Sequence, residues 1–379
     1  MRLFDDEHSP PQVWAVEDTS VQITWGKLGP GKVTASVPGH EVTIDHLGGP
    51  GALDIPGLQP GAAVTIDLLS ESDGATLETT TMATPPGPEL SRFATISDLH
   101  LGARRWGALN TMTDPSGHAV PHPFRCALSA IEDAVAWGAE LLIIKGDAVQ
   151  HEVEADFAQL GDLVDRFPDL PMLLIPGNHD VDCQGEAIPL GVGKRELTYT
   201  RNVDAVDLPG VRVVVGDTSI PGRGRGSLDR VSSALMQTAA EADRPIFVAI
   251  HHQLQPTRIP RHWPLGIPAP QSSALLDQLA DLPQPVTVSS GHTHRNRSRR
   301  HRDVLVTEVG STKDWPGVWA GYVVHEGGVR QVVRRSAARD AITWTEYSRD
   351  AVAGLWGKWS PGPMDERCVA NVWTPDRSS

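Results

Sequence analysis

The chain has 379 residues, more than a single hydrophobic core ordinarily organises, so its length predicts two domains. Hydrophobic residues make up 40% and charged residues 21%, which is typical of a globular protein, and no apolar stretch approaches the roughly 20 residues that cross a bilayer. The formal net charge of −14 repels polyanions and argues against nucleic acid as a partner.

The first eight residues, MRLFDDEH, are acidic and contain no apolar run, so no secretory signal is predicted. The three cysteines, Cys126, Cys183 and Cys368, are far apart and lack the C-x-x-C spacing of a zinc ribbon. Unpaired cysteines fit a reducing compartment. We therefore expect a cytoplasmic protein without membrane association. The sequence leaves the oligomeric state open, and a homo-oligomer is compatible with it.

Residues 1–86 have the pattern of a small all-β sandwich. Apolar and polar residues alternate through residues 20–25, which predicts a half-buried strand, and a Gly-Pro-Gly turn is predicted at residues 29–31. Further strands are predicted at 11–14, 32–37, 41–45, 64–69 and 76–82. Many short strands separated by Gly and Pro favour a β-sandwich.

The segment from Gly57 through Pro60 to Val64 resembles a turn of the fibronectin type III domain, as do the strand of Trp25 and a closing Thr-Thr-Thr strand. The resemblance implies a fibronectin-like sandwich over residues 1–86. The segment departs from that family at Val64, where those domains usually carry a tyrosine.

A proline-rich linker at residues 84–88 precedes a change of pattern. From residue 92 onward, apolar strands alternate with helices, which predicts an α/β domain with both sheet faces covered. Strands are predicted at 93–97, 141–145, 172–175, 211–216, 246–250, 286–289 and 304–309, and helices at 127–138 and 155–167. We assign residues 87–330 to this domain and residues 331–379 to an extension packed on it.

Five of the predicted strands end in short polar clusters. These are Asp98-Leu99-His100, Gly146-Asp147, Gly177-Asn178-His179-Asp180, His251-His252 and Gly291-His292-Thr293-His294. Because ligands bind at the carboxyl ends of strands in α/β sheets, we expect the clusters to converge. Neighbouring glycines permit sharp turns, and extended backbone would place both residues of each Asp-x-His or His-x-His pair on one face.

The residue types in these clusters are those of a metal site. Imidazole, carboxylate and amide oxygen suit Zn, Mn or Fe, and the absence of cysteine argues against a thiolate site. A single catalytic zinc takes roughly three or four protein ligands, and two metal ions bridged by a carboxylate account better for a larger set. The seven candidate ligands are Asp98, His100, Asp147, Asn178, His251, His292 and His294.

The order of the five clusters resembles that of the calcineurin-like metallophosphoesterases over roughly residues 92–325. The resemblance implies an α/β (α+β) fold, a mixed β-sandwich flanked by helices, with the site at the strand ends. It also implies that Asp147 bridges two metal ions. One ion would also bind Asp98, His100 and His294, and the other Asn178, His251 and His292. His252 stays an alternative to His251, because only adjacency separates the two.

The same resemblance implies hydrolysis of a phosphate ester. The two ions would lower the pKa of a shared water, and the resulting hydroxide would attack phosphorus. His179 is not needed as a ligand and is expected to be catalytic, by binding a phosphate oxygen or by protonating the leaving group. Asp180 is expected to orient that imidazole.

Two further clusters could contact the substrate. His118 and His122 lie in a Pro/Gly-rich insert, for which a solvated loop is favoured over a cap. Arginines after the last cluster could bind a second phosphate, although a charged hairpin rim is favoured. These arginines are Arg295, Arg297, Arg299, Arg300 and Arg302. The tail carries Trp344, Trp356, Trp359 and Trp373 and is expected to pack on the domain.

We expect a small phosphorylated substrate, most simply a diester such as a cyclic nucleotide or a glycerophosphodiester. A phosphomonoesterase is the alternative, because purple acid phosphatases also place a fibronectin-like domain before the catalytic one. No tyrosine lies between Asp147 and Asn178, so an iron–tyrosinate centre is not expected. The acidic charge disfavours a nuclease, and the complete ligand set disfavours a non-catalytic scaffold.

Overall fold

A computed structural model describes residues 8–71, 73–107, 110–181, 197–260 and 263–373. Among these residues, no helix is both long enough and apolar enough to cross a bilayer. Cys126 and Cys368 are buried free thiols, and Cys183 lies outside the described residues. The described chain forms an N-terminal antiparallel sheet and a larger unit of two sheets and flanking helices.

The N-terminal sheet contains β1 (Gln12–Val16), β2 (Val21–Val37), β3 (His40–Ile55), β4 (Ala63–Leu69) and β5 (Gly74–Thr80). β2 pairs with β3 along most of its length, and it also pairs with β1 near one end and with β4 near the other. β1 contacts β5, so the sheet curves around its own core. An all-β N-terminal unit agrees with the predicted class, and its fibronectin type III character stays a prediction.

The predicted turn at residues 29–31 is wrong. β2 continues through this segment, with an irregular register between Trp25 and Leu28, and Pro30 lies opposite Leu47 on β3. The chain reverses instead at Gly39, whose φ of 82° is in the left-handed region that glycine tolerates. Gly and Pro in this strand therefore accompany an irregularity in pairing, one of the few places where a sheet accepts proline.

The larger unit adds fifteen strands in the described ranges. They are β6 (Glu89–Ile96), β7 (Arg105–Trp106), β8 (Met112–Thr113), β9 (Leu142–Lys145), β10 (Met172–Ile175), β11 (Leu197–Tyr199), β12 (Val203–Leu208), β13 (Val211–Gly216), β14 (Ile246–Ile250), β15 (Val286–Ser290), β16 (Arg297–His301), β17 (Val304–Glu308), β18 (Val318–His325), β19 (Gly328–Arg335) and β20 (Cys368–Val372). Its helices are α1 (His122–Trp137), α2 (Glu154–Val164), α3 (Ser232–Ala240), α4 (Ala269–Ala280), α5 (Arg339–Ser348), α6 (Leu355–Trp359) and α7 (Met364–Arg367).

Two mixed sheets face each other between layers of helices. The seven-stranded sheet has the order β11-β10-β9-β6-β18-β19-β20, and the six-stranded sheet has the order β12-β13-β14-β15-β17-β16. Phe93 of β6 packs between the sheets on Phe247 and Tyr322, whereas Ala94 and Ile96 pack outward with residues of α1 and α2. α3 and α4 cover the other outer face. The predicted mixed sandwich flanked by helices is confirmed.

The topology places the five polar clusters at one edge of the sandwich. β6, β9 and β10 are parallel in the first sheet, and β13, β14 and β15 are parallel in the second. The clusters follow β6, β9, β10, β14 and β15 directly in the chain. Because parallel strands end at the same edge, both sheets deliver their polar loops to a common region.

The C-terminal part of the chain contributes strands that the sequence pattern does not predict. β18 and β19 form a hairpin that pairs with β6, and β20 pairs with β19. Residue 330 lies within β19, so part of the segment that we assigned to an extension belongs to the seven-stranded sheet.

A buried ion cluster joins the N-terminal sheet to the larger unit. The carboxylate of Glu17 accepts hydrogen bonds from Arg330 (3.1 Å) and Arg334 (2.6 Å) of β19. Asp18 pairs with Arg330, and Asp54 pairs with Arg334. Glu17 and both arginines are buried, so their charges are compensated within the interface instead of by water.

We expect Glu17→Ala to lower the free energy of unfolding by about 3 kcal/mol, because it removes the anion that the two buried guanidinium groups share. Chemical denaturation of the full chain measures the change. Asp207→Ala, which breaks the exposed pair with Arg212, is the matched control and should cost less than about 1 kcal/mol. Equal effects of the two substitutions would show that the cluster does not stabilise the interface.

Candidate metal centre

The predicted ligands converge at the carboxyl edge of the two sheets. Four overlapping groups each have ligand atoms within 4.8 Å of one another. The groups are Asp98, His100 and His294; Asp98, Asp147 and His251; His100, Asp147 and His179; and His251, His252 and His292. Asn178 lines a cavity that is also lined by His100, Asp147, His292 and His294. The clusters on both sheets therefore form one site.

Asp147 lies between the two predicted ligand sets. Its Oδ2 is 3.6 Å from Nε2 of His100 and 3.4 Å from Nε2 of His251, and these histidines come from different sheets. Its Oδ1 accepts a hydrogen bond from the backbone N–H of His179 at 2.8 Å. A carboxylate in this position fits the bridging role that the resemblance implies.

Three of the histidines are oriented through Nδ1, which leaves Nε2 directed at the site. The contacts are His100 with Gln150 Oε1 (3.1 Å), His251 with the Lys145 carbonyl (2.7 Å) and His294 with Asp314 Oδ2 (2.6 Å). A metal-binding histidine ordinarily has such a partner on its other ring nitrogen, which sets the tautomer and the ring angle.

Several buried polar atoms in the site have no hydrogen-bond partner among the described residues. They include Asp98 Oδ1, His100 Nε2 and Asn178 Oδ1. Leaving a buried polar atom unpaired costs about 1–3 kcal/mol, so the site is built to be completed by a ligand. These oxygen and nitrogen donors suit Mn, Fe or Zn, and the residues therefore fit a metal centre.

Both histidines of the His251-His252 pair reach the site. His251 lies beside Asp147 and belongs to two of the four groups. His252 contacts Thr218 Oγ1 through Nδ1 (2.8 Å), and its Nε2 is buried without a hydrogen-bond partner in the described chain. The contact with the proposed bridging carboxylate favours His251 as the ligand and leaves His252 as the alternative.

The backbone of the ligands is not extended, so that expectation is wrong. Five of the seven candidate ligands have left-handed φ values: Asp98 (56°), His100 (50°), Asp147 (49°), His292 (72°) and His294 (53°). This conformation is uncommon outside glycine and persists only where the surrounding structure holds it. The Asp-x-His and His-x-His pairs still converge, but through strained turns after the strands.

Two of the neighbouring glycines serve different needs. Gly146 adopts a φ of 83°, as the predicted sharp turn requires. At Gly177, a Cβ would lie 2.2 Å from Asp147 Oδ1, so this glycine provides room for the carboxylate. Any larger residue at position 177 would displace Asp147.

The predicted partnership between Asp180 and His179 differs from the structure. The carboxylate of Asp180 accepts hydrogen bonds from the backbone N–H groups of Gly177 (2.7 Å), Val149 (2.9 Å) and Ala148 (3.2 Å). It thereby joins the loop after β9 to the loop after β10. The Nδ1 of His179 instead lies 2.9 Å from the backbone carbonyl of Gln150, which orients the imidazole toward the cavity.

The buried charges of the candidate ligands compensate one another. Burial alone would lower the pKa of His294, but the carboxylates of Asp314 and Asp98 raise it to about 10. Burial would likewise lower the pKa of His251, but the negative charge of Asp147 raises it to about 9. In turn, His251 holds the pKa of Asp147 well below its ordinary value, against the effect of burial. Protonated imidazoles therefore balance the carboxylates when no metal is bound.

We expect metal binding at pH 7 to release about two protons, because His251 and His294 must lose theirs to bind a cation. Calorimetric titration with Mn²⁺ or Zn²⁺ in buffers of different ionisation enthalpy counts the protons. Metal affinity should rise as the pH increases toward the pKa values of these histidines. A count of zero at pH 7 would contradict this charge balance, and His118→Ala should leave the count unchanged.

Several residues around the site lie outside the strand-end pattern, so the sequence does not predict them. Asp314 accepts hydrogen bonds from His294 Nδ1 and, at 3.1 Å, from Trp356 Nε1. The ring of Trp106 stacks on that of His294, with centroids 5.2 Å apart. The ammonium of Lys313 lies 4.3 Å from the centre of the Trp106 ring. Only the folded chain brings these residues to the site.

Two cavities open beside the ligands. The first has a volume of about 360 Å³, contains Asp147, Asn178 and His179, and is otherwise lined mainly by apolar side chains. The second, of about 350 Å³, shares His100, Trp106 and His179 with the first and is lined by cationic side chains. Those cations are Arg104, Arg105 and Lys313. An anionic group can therefore approach the site despite the acidic net charge.

No side chain of the two additional clusters lines either cavity in the described chain. His122 begins α1, is buried and stacks on Trp344 at a centroid distance of 3.8 Å, so the predicted solvated loop is wrong for this residue. His118 is exposed, 3.5 Å from Asp340. The arginines after His294 lie on or beside β16, the edge strand of the six-stranded sheet. Among the described residues that line the first cavity, none is one of these arginines. This agrees with the favoured hairpin rim.

Two mixed sheets thus carry, at their strand ends, a histidine–aspartate cluster that could hold metal ions. The family profile described as calcineurin-like phosphoesterase matches residues 91–296, more than half of the chain. The chain belongs to the calcineurin-like phosphoesterase family.

Two curated relatives are similar to part of the chain. A probable cyclic nucleotide phosphodiesterase of Psychrobacter arcticus is 23% identical over 182 residues, which cover 46% of this chain and 63% of the relative. The 3',5'-cyclic adenosine monophosphate phosphodiesterase CpdA of Pseudomonas aeruginosa is 32% identical over 146 residues, which cover 38% of this chain and 50% of the relative. The chain thus spans less than two thirds of either relative.

Among solved structures, purple acid phosphatase PPD1 from yellow lupin (Lupinus luteus) seeds is similar to this chain with a TM-score of 0.46 and 12% identity. The match covers 87% of this chain and 72% of the lupin chain.

Proposed function

We propose that this protein is a phosphodiesterase that hydrolyses a small phosphate diester with the help of two metal ions. The observation that carries the proposal is the position of Asp147, which lies within 3.6 Å of histidines from both sheets. One ion would bind Asp98, His100 and His294, the other Asn178, His251 and His292, and Asp147 would contact both. The bound metals, Mn, Fe or Zn, would supply positive charge and an activated water for attack on phosphorus.

The side chains of the site have separate tasks in this proposal. Gln150 and Asp314 hold the imidazoles of His100 and His294, so the ligand nitrogens keep their direction. The Gln150 carbonyl accepts from Nδ1 of His179, which leaves Nε2 available for the substrate. A protonated His179 can then donate to a phosphate oxygen or to the leaving alcohol as the ester bond breaks.

The shape of the site favours a diester over a monoester. A diester carries two ester groups on phosphorus, and here two cavities that share His100, Trp106 and His179 open beside the candidate ligands. Both curated relatives are described as cyclic nucleotide phosphodiesterases, which supports the same choice. A phosphomonoesterase remains the second candidate, because the cationic side chains of the second cavity would suit a dianionic phosphate.

Hydrolysis of model esters tests this proposal directly. We expect purified protein loaded with Mn, Fe or Zn to hydrolyse bis(p-nitrophenyl) phosphate with a higher kcat/KM than p-nitrophenyl phosphate, and to hold about two metal ions per chain. Absorbance assays and elemental analysis measure both. Preference for the monoester would select the phosphomonoesterase, and inactivity with every metal would overturn the proposal.

We expect His179→Ala to lower kcat by about 10²–10⁴-fold, the usual contribution of a positioned acid or base. Metal content should stay at the wild-type value, because His179 is not a proposed ligand. His118→Ala is the matched control, since this histidine is exposed and lies away from both cavities. Loss of metal in His179→Ala would instead identify His179 as a ligand.

A further inference from the structure

The first cavity has an apolar wall beside the candidate metal ligands. The wall consists of Trp106, Trp263, Pro264, Val352 and Trp356, which come from three separate segments of the chain. Polar atoms in this cavity belong mainly to the ligand clusters. Apolar and aromatic side chains that line a pocket contact the apolar parts of a ligand, whereas its few polar groups fix the orientation.

Two members of this wall are exposed although they are large and apolar. Trp263 has an exposed fraction of 75% and Val352 one of 43%. The backbone of Val352 also has a φ of 53°, followed by 55° at Ala353. A β-branched residue rarely adopts this conformation, which costs about 1–3 kcal/mol. Strain and exposure thus coincide at a side chain that faces the cavity.

The other two tryptophans of the wall are held in place. The Nε1 of Trp356 donates to Asp314 Oδ1 (3.1 Å) and to the carbonyl of Trp315 (3.0 Å). Trp106 stacks on the ring of His294 and also contacts the ammonium of Lys313. These rings are therefore ordered before a ligand binds, which lowers the entropic cost of stacking against them.

We propose that this wall binds a flat, largely apolar ring carried by the alcohol that stays on phosphorus, while the phosphate lies at the ligand clusters. The inference rests on the proposed function and narrows it to ring-bearing esters. A glycerophosphodiester, whose alcohol is small and polar, would leave Trp263 and Val352 without a partner. The ring would lie in the first cavity, which, unlike the second, is not lined by Arg104 or Arg105.

Diesters that share one leaving group isolate the contribution of the wall. We compare methyl p-nitrophenyl phosphate with phenyl p-nitrophenyl phosphate, because both release p-nitrophenolate and differ only in the retained alcohol. We expect kcat/KM to be about 10-fold or more higher for the phenyl ester, within the range that apolar pockets provide. Equal values for the two esters in the wild-type protein would overturn the inference.

Two substitutions test the wall without removing core packing. Trp263→Ser removes an exposed ring, and Val352→Gly removes the side chain while easing the left-handed backbone. Each should lower the phenyl-to-methyl ratio by about 3-fold or more. Leu47→Ala, which removes an exposed apolar side chain from the N-terminal sheet, should leave the ratio unchanged. Equal losses on both esters would show a general structural role and would overturn the inference.

Binding separates failure of the wall from failure of the proposed function. Phenylphosphonate and methylphosphonate, which cannot be hydrolysed at the phosphorus–carbon bond, are titrated into the metal-loaded protein by calorimetry. We expect phenylphosphonate to bind about 10-fold more tightly, and Trp263→Ser to remove most of the difference. If no ester is hydrolysed, the proposed function is wrong, and the affinities of the two phosphonates then test the wall by themselves. Equal affinities of phenylphosphonate and methylphosphonate would overturn the inference.

Discussion

The carboxylate of Asp147 is the group on which the rest of the site depends. It is buried at the meeting point of two sheets, and an isolated buried charge would be very costly. Histidines from both sheets lie beside it, and protonated imidazoles or bound cations compensate its charge. The left-handed turns of the neighbouring candidate ligands and the absence of a side chain at Gly177 accompany this crowding of polar groups at one buried point.

The C-terminal part of the chain completes this arrangement. Asp314 holds the ring of His294, and Trp356 holds Asp314, so a residue after α5 is connected to the site through two hydrogen bonds. The same part of the chain supplies Arg330 and Arg334, which bind Glu17 of the N-terminal sheet. The N-terminal sheet is therefore joined by buried charges to the strands that support the site.

Much of the site could be predicted from the sequence, because strands of a parallel sheet present their following loops at one edge. Asp98, His251 and the other candidate ligands each follow an apolar strand directly, so their convergence needs no knowledge of distant contacts. Two other predictions, a turn at residues 29–31 and a hydrogen bond between Asp180 and His179, relied on local residue types, and both are wrong. Residues 29–31 instead lie within β2, which pairs with β3, and the Asp180 carboxylate instead accepts hydrogen bonds from three backbone N–H groups.

The sequence by itself determined the family, the mixed-sheet class and the set of candidate ligands, since each is encoded in short motifs beside apolar strands. The tertiary structure alone decided which groups surround the ligands. Asp314, Gln150 and the tryptophans of the cavity wall reach the site from separate loops, and no local periodicity marks them. The physical reason is that a motif specifies its own backbone, whereas a cavity is specified by the packing of segments that are distant in sequence.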